Sequence, residues 1–83
     1  MFLMILATVF GVIMGASHFS QAYRIYTRKS AKDLSLITYS LLFMGALVWF
    51  LYGITILNYA VIVSNFVGLV ATISVLFGWV KYH

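Results

Sequence analysis

The chain has 83 residues, of which 65% are hydrophobic, and its charged side chains are five basic and one acidic. A soluble domain of this size buries little of its chain and needs a charged, mixed surface. The few polar side chains cannot provide one, so we expect lipid to be the outer solvent. The net charge of +4 does not indicate a nucleic-acid partner, because four of the five basic residues lie in one short connector.

Residues that could carry catalysis or bind a metal are scarce. The chain has no cysteine, its one acid is Asp33, and its two histidines are His18 and His83. Nucleophilic, acid–base and metal-ion chemistry each need a cluster of such groups. We therefore expect no enzyme activity, no cofactor and no metal.

Three apolar runs follow one another, at about residues 1–23, 36–56 and 59–80. Crossing a hydrocarbon core of about 30 Å takes about 20 helical residues, which is the length of each run. Strands are excluded because the runs lack alternating polarity and a membrane barrel needs at least about eight strands. The sequence predicts an all-α membrane protein, with residues 1–83 as a single domain of three transmembrane helices.

The two connectors differ in charge. The first, residues 24–35, holds Arg24, Arg28, Lys29 and Lys32 against one acid, whereas the second, residues 57–58, has no charge. Basic connectors stay in the cytoplasm. This predicts a multi-pass protein of the inner (plasma) membrane with its N-terminus outside and its C-terminus in the cytoplasm. A cleaved signal peptide at residues 1–17 is disfavoured, because no basic n-region precedes the apolar run.

Polar and aromatic side chains inside the predicted spans are candidate functional residues, because unpaired polar groups are costly in lipid. His18 is a candidate proton site, but no helix offers it an acid, so a structural histidine with a neighbouring partner is favoured. Trp49 and Tyr52 share one face of the second span and fit either an interfacial aromatic belt or, for Trp49, a stacking surface for a sugar ring. Asn65 serves equally well as a helix–helix contact or as a substrate ligand.

Small residues are spaced four apart in two spans. Gly11 and Gly15 form a GxxxG motif in the first span, and Ser64 and Gly68 form a similar pair in the third. Such pairs let helix backbones approach closely. We expect them to mark helix contacts.

The segment from Gln21 through Ser35 closely resembles the PQ-loop family, and the W-x-x-Y-G at Trp49, Tyr52 and Gly53 and the Ser-Asn at 64–65 follow in the right order. The length and three-helix plan are similar to a SemiSWEET, a bacterial half-transporter of sugars. This resemblance implies a parallel homodimer, making a 3+3 transporter, with helices packed in the order 1-3-2. It also implies that Trp49 and Asn65 bind the sugar and that Tyr52 belongs to the outer gate.

The sequence departs from this family at two places. Ser20 replaces the proline of the Pro-Gln pair, which normally gives the first helix a hinge by removing a backbone hydrogen bond. A hinge at Ser20 and Gln21 would then depend on the milder bend that a serine makes by bonding back to a carbonyl. Ile56 and Asn58 stand where the family often has an Arg–Asp pair at its outer gate, so an ionic gate is lost.

The resemblance implies facilitative uniport of a mono- or disaccharide by alternating access, with a second copy of the chain, the sugar and the bilayer as partners. The residues alone indicate only a small, polar, uncharged solute, and the lack of a buried carboxylate disfavours proton coupling. Two alternatives stay open: a PQ-loop transporter of another small solute such as an amino acid, and a small membrane subunit that does not transport.

Overall fold

The structure is a computed structural model that describes residues 1–32 and 34–83; Asp33, the acid of the first connector, lies outside the described residues. The described chain forms four helices: α1 Phe2–Ala16, α2 His18–Arg28, α3 Leu36–Thr55 and α4 Tyr59–Tyr82. Only Ser17 separates α1 from α2, and together they form one segment of 27 residues. Three helical segments are therefore long and apolar enough to cross a membrane, which confirms the predicted fold class.

The first span continues to Arg28, although the sequence predicts its end near residue 23. It stops where Lys29 adopts a left-handed conformation with φ 53° and the Ser30 N–H donates to the Ile25 carbonyl at 3.2 Å. This is the hydrogen bond of a Schellman helix end. Arginine is a good helix former, so Arg24 ends the apolar part of the segment without ending the helix.

The second connector is a tight turn between α3 and α4. Leu57 is left-handed with φ 53°, and the Asn58 N–H donates to the Gly53 carbonyl at 3.0 Å, which closes α3 with a second Schellman-type end. The side-chain oxygen of Asn58 accepts from the Val61 N–H at 3.3 Å and caps α4. Asn58 thus stabilises the start of α4.

Helix α4 lies between the other two spans. It contacts α1 and α2 on one side and α3 on the other, and in the described chain no Cα of α1 or α2 comes within 8 Å of a Cα of α3. This confirms the expected packing order 1-3-2. The bundle is 42 Å long, close to the thickness of a bilayer with its headgroups, about 40–45 Å.

The two small-residue motifs pack against each other where α1 meets α4. A Cβ added to Gly11 would lie 2.5 Å from the Ser64 Cβ, and one added to Gly15 would lie 3.0 Å from the Gly68 backbone nitrogen. Neither glycine position leaves room for a side chain, so the backbones of α1 and α4 approach closely, as the motifs predict.

The best-buried apolar cluster lies at the end of the bundle that holds residues 29–32 and 34–35, which we call the basic end. Its buried members are Ala22, Ile25, Ala31 and Val75, and the half-buried side chains packed on them are Leu34, Tyr39, Trp79 and Tyr82. The Ala31 N–H donates to the Tyr82 carbonyl at 3.3 Å and fastens the first connector to the end of α4. We call the opposite end, with residues 56–58, the neutral end.

Candidate functional site

A cavity of about 370 Å³ opens in the middle of the bundle, between α1, α3 and α4. The close backbone approach of α1 and α4 forms its floor, and the absence of a side chain at Gly45 widens it on α3. Trp49 on α3 and Asn65 on α4 both line it. The structure therefore brings together the two side chains that the sequence predicts for substrate binding.

Trp49 presents a large aromatic surface in this cavity. Its ring is 54% exposed and meets Tyr52 edge to face, with ring centroids 5.6 Å apart. Tyr52 lies one helical turn nearer the neutral end and is also about half exposed. The pair leaves a face of the indole free for a flat partner.

Asn65 keeps most of its hydrogen-bonding capacity. Its Nδ2 donates to the Val61 carbonyl at 2.8 Å. An amide side chain has two donor hydrogens and an acceptor oxygen. The bond to Val61 uses one of the two hydrogens. The second hydrogen and the oxygen therefore suit a polar ligand in the cavity.

Thr72 extends the polar side of the cavity toward the basic end, and the sequence argument did not single it out. With Ser64 and Gly68 it occupies every fourth position of α4, so the three share one face. Its hydroxyl donates to the Gly68 carbonyl at 2.7 Å, and the residue is only 2% exposed. The spacing four residues beyond Gly68 is the signal that could have found it.

His18 lines the cavity from α2 and has a neighbouring partner, as the structural interpretation of this residue expects. Its Nδ1 lies 3.1 Å from the Tyr39 hydroxyl on α3, and the two rings meet edge to face with centroids 5.3 Å apart. The sequence argument missed Tyr39, because a tyrosine near a membrane boundary has no unusual signature. The pair joins two spans whose backbones do not touch.

The first span has a local irregularity next to the predicted hinge residues, although Ser17 itself keeps helical backbone angles. Neither α1 nor α2 includes Ser17, and the Ser20 N–H donates to the Ser17 carbonyl, three residues back, at 3.2 Å. The Ser20 hydroxyl donates to the same carbonyl at 2.6 Å, which is the kind of back-bonding that bends helices. Gln21 lines a separate cavity at the basic end.

The arrangement suits binding of a neutral polar molecule. In the described chain the lining of the central cavity has no carboxylate, lysine or arginine. Its polar groups are hydroxyls, an amide, an imidazole and an indole, set among apolar and small side chains. Pockets of 300–1,000 Å³ with a few placed polar groups are typical of small-molecule sites.

Comparison with known proteins supports this interpretation. Residues 1–83 match the MtN3_slv family, described as "Sugar efflux transporter for intercellular exchange". A solved structure described as "Crystal structure of a bacterial homologue of SWEET transporters" superposes with a TM-score of 0.92 at 29% identity and covers 100% of both chains. No curated protein matched. The full-length match and the shared fold establish that this three-helix chain belongs to the sugar efflux transporter family, as a SemiSWEET.

Proposed function

We propose that the chain is a facilitative uniporter of a mono- or disaccharide that works by alternating access as a parallel homodimer. The observation that supports this most directly is the central cavity, which Trp49 and Asn65 line from two different helices and whose described lining carries no fixed charge. The similar solved structure is described as a bacterial homologue of SWEET transporters, and the matching family is described by sugar efflux.

The shape of the cavity supports the homodimer. Trp49 is more than half exposed, and Leu41 and Met14, also on the lining, are 63% and 69% exposed, so one wall is absent in a single chain. A second copy, related by an axis along the membrane normal, would supply it. SWEETs are themselves an example of transporters built from such parallel repeats, with the site near the midplane.

A sugar fits the chemistry of these side chains. Its C–H faces would pack on the Trp49 ring, and its hydroxyls would donate to the Asn65 oxygen and accept from the Asn65 amide. Two copies of each residue would enclose one ligand. Uniport is favoured over proton coupling because the described lining has no carboxylate, and His18 is already engaged with Tyr39.

Alternating access needs a gate and a hinge. We assign the outer gate to Tyr52, whose edge-to-face contact would carry its movement to Trp49. The hinge is assigned to Ser20 and Gln21, just beyond the irregularity at Ser17. The basic end is proposed to face the cytoplasm, with the N-terminus outside.

Uptake into proteoliposomes tests the proposal. Purified protein is reconstituted and screened with labelled glucose, sucrose and other mono- and disaccharides, with amino acids in parallel. We expect sugar uptake that equilibrates without a proton gradient. The variants Trp49→Ala and Asn65→Ala should each lower it at least about tenfold, the effect of losing one well-placed contact of 1.4 kcal/mol or more.

Val48→Ala is the matched control, because Val48 precedes Trp49 on α3 and is 64% exposed away from the cavity lining. It should transport normally. Cross-linking and light scattering should give the same dimer for all variants. Normal uptake by both cavity variants would contradict the site, uptake of amino acids but not sugars would favour the other-solute alternative, and no uptake of any solute would favour the structural subunit.

A further inference from the structure

A second cavity, of about 160 Å³, lies at the basic end and is separate from the central one. Its polar lining is unusual for a membrane bundle, because three cationic side chains and an amide converge on it. These residues are Gln21, Arg24, Arg28 and Lys32. The apolar side of the cavity is formed by Ile25, Ala31 and Leu34.

Backbone geometry holds these cations in place. Arg24 and Arg28 are four residues apart and lie on one face of α2. The left-handed Lys29 turns the chain back, so that the connector crosses the last turn of the helix and brings Lys32 to the same cavity. The Lys32 N–H donates to the Ser30 hydroxyl at 3.3 Å.

The connector is also anchored below the cavity. Ala31 is 3% exposed within the buried cluster, and its N–H is bonded to the Tyr82 carbonyl. The side chains on either side of it therefore start from a fixed backbone. A purely topological cluster of basic residues needs no such cavity, since the positive-inside rule counts charge and not shape.

The cavity suits a phosphate group. Guanidinium groups bind phosphate oxygens through two parallel hydrogen bonds, and lysine adds a point charge. Residues 24–35 hold four cations against one acid, so the segment stays positive as a whole. Gln21 and Ser30 offer further neutral donors.

Its depth in the membrane favours a lipid as the source of the phosphate. From Phe2 to Arg24 the first span extends roughly 33 Å at 1.5 Å per residue, which slightly exceeds the hydrocarbon thickness of about 30 Å. Arg24 then reaches the headgroup layer, where lipid phosphates are concentrated. We propose that this cavity binds the headgroup of an anionic phospholipid through Arg24, Arg28 and Lys32.

Lipid-dependent thermal unfolding tests this proposal on the full chain in uncharged micelles. Dioleoylphosphatidylglycerol is titrated in, with dioleoylphosphatidylcholine and inorganic phosphate at constant ionic strength as parallel arms. We expect the anionic lipid to raise the unfolding temperature in a saturable way, because a ligand of the folded state stabilises it. The other two should raise it little.

Two double variants distinguish lipid binding in this cavity from general electrostatic attraction between the basic chain and the anionic lipid. Arg28→Gln with Lys32→Gln removes two cations that line the cavity, and Lys29→Gln with Lys81→Gln removes two that do not. Each cation near an anionic surface contributes a several-fold change in affinity. The first pair should bind the anionic lipid about tenfold more weakly, and the second by about twofold or less.

Arg24→Lys keeps the charge but loses the forked donor geometry, and it should bind about threefold more weakly even if the double variant folds poorly. An equal loss in both double variants would overturn the proposal and leave only non-specific attraction. Equal stabilisation by inorganic phosphate would also overturn it, since a soluble anion would then be the ligand. Retention of phosphatidylglycerol by the native chain but not the first pair, seen by native mass spectrometry, would support it.

Discussion

The basic end and the central cavity are built from the same helices but differ in completeness. At the basic end Val75 is fully buried against Ala22, Ile25 and Ala31, so this packing is finished within one chain. In the cavity the helices meet through glycine and small residues, and three large side chains on its lining, Trp49, Leu41 and Met14, are more than half exposed.

The basic end and the central cavity therefore have different roles in the molecule. A core that one chain completes contributes to the stability of that chain whether or not a partner is present. A cavity lined by polar and exposed aromatic side chains adds little to stability and acquires a function only when something else closes it. Substitutions at the two places should therefore change different measured quantities.

The largest effect on stability is expected at the α1–α4 contact, where tight packing lies directly under the cavity. Gly11→Ala places a methyl group 2.5 Å from the Ser64 Cβ, and overpacking of this kind costs about 1–3 kcal/mol. We expect the free energy of unfolding in micelles to fall by about 2 kcal/mol. Gly45→Ala is the matched control, because its methyl would meet nothing within 4 Å, and it should not lose stability. Equal losses would show that the contact with Ser64 is not the cause, since alanine favours a helix over glycine at both positions.

Within the basic end, Val75→Ala should lower the free energy of unfolding by about 1–2 kcal/mol, because it removes two methyl groups from a fully buried site. Transport per folded dimer should not change. Val80→Ala makes the same substitution on the same helix at a site that is 64% exposed and should be nearly neutral. A change in sugar affinity in Val75→Ala would break the separation between the two regions.

The bond between His18 and Tyr39 lies between the regions, and Tyr39→Phe removes it while keeping the ring. A hydrogen bond of this kind contributes about 0.5–1.5 kcal/mol, so a loss of about 1 kcal/mol in unfolding free energy is expected. Tyr59→Phe, at a ring that is 69% exposed, serves as control. If Tyr39→Phe left stability unchanged but altered uptake, the bond would belong to the transport cycle and not to the core.

The smallest change is expected at Ser20. Ser20→Pro removes the N–H bond to the Ser17 carbonyl, which spans only three residues instead of the usual four, so folding should survive. If a looser hinge speeds the cycle, the initial uptake rate should rise by about two- to fivefold, equivalent to less than about 1 kcal/mol. Ser20→Ala keeps the N–H bond and removes only the hydroxyl bond, so it should give a smaller increase. An unchanged or lower rate in Ser20→Pro would argue against the hinge.

The spans could be predicted because length and hydrophobicity alone decide them, and the packing order followed from the family resemblance. The end of the first helix could not be predicted in this way. The charge at Arg24 indicates where the hydrocarbon stops, whereas the helix itself ends at the left-handed Lys29. No residue type marks that turn, since glycine usually occupies it. Likewise, the irregularity in the first span lies at Ser17, ahead of Ser20. The Ser17 hydroxyl bonds back to the Met14 carbonyl, and the Ser20 hydroxyl bonds back to the Ser17 carbonyl.

The cavity was only partly predictable. Trp49 and Asn65 are unusual residues in lipid and attract notice, but only the family resemblance implied that they line one pocket. Tyr39 and Thr72 are common in membrane helices, and only tertiary geometry places them beside the cavity. The basic cavity was hidden for a similar reason, because Arg24, Arg28 and Lys32 already had a sufficient explanation in topology.

Substitutions at Gly45 would change the width of the central cavity. Nothing lies within 4 Å of where its Cβ would be, yet the position borders the same space as Trp49 and Asn65. Alanine, valine and leucine at this site would therefore narrow the cavity in graded steps, beginning with a methyl group that meets nothing within 4 Å. In the proposed symmetric dimer each substitution would be present twice. The largest side chain at position 45 that still permits uptake would then report the width of the transported molecule.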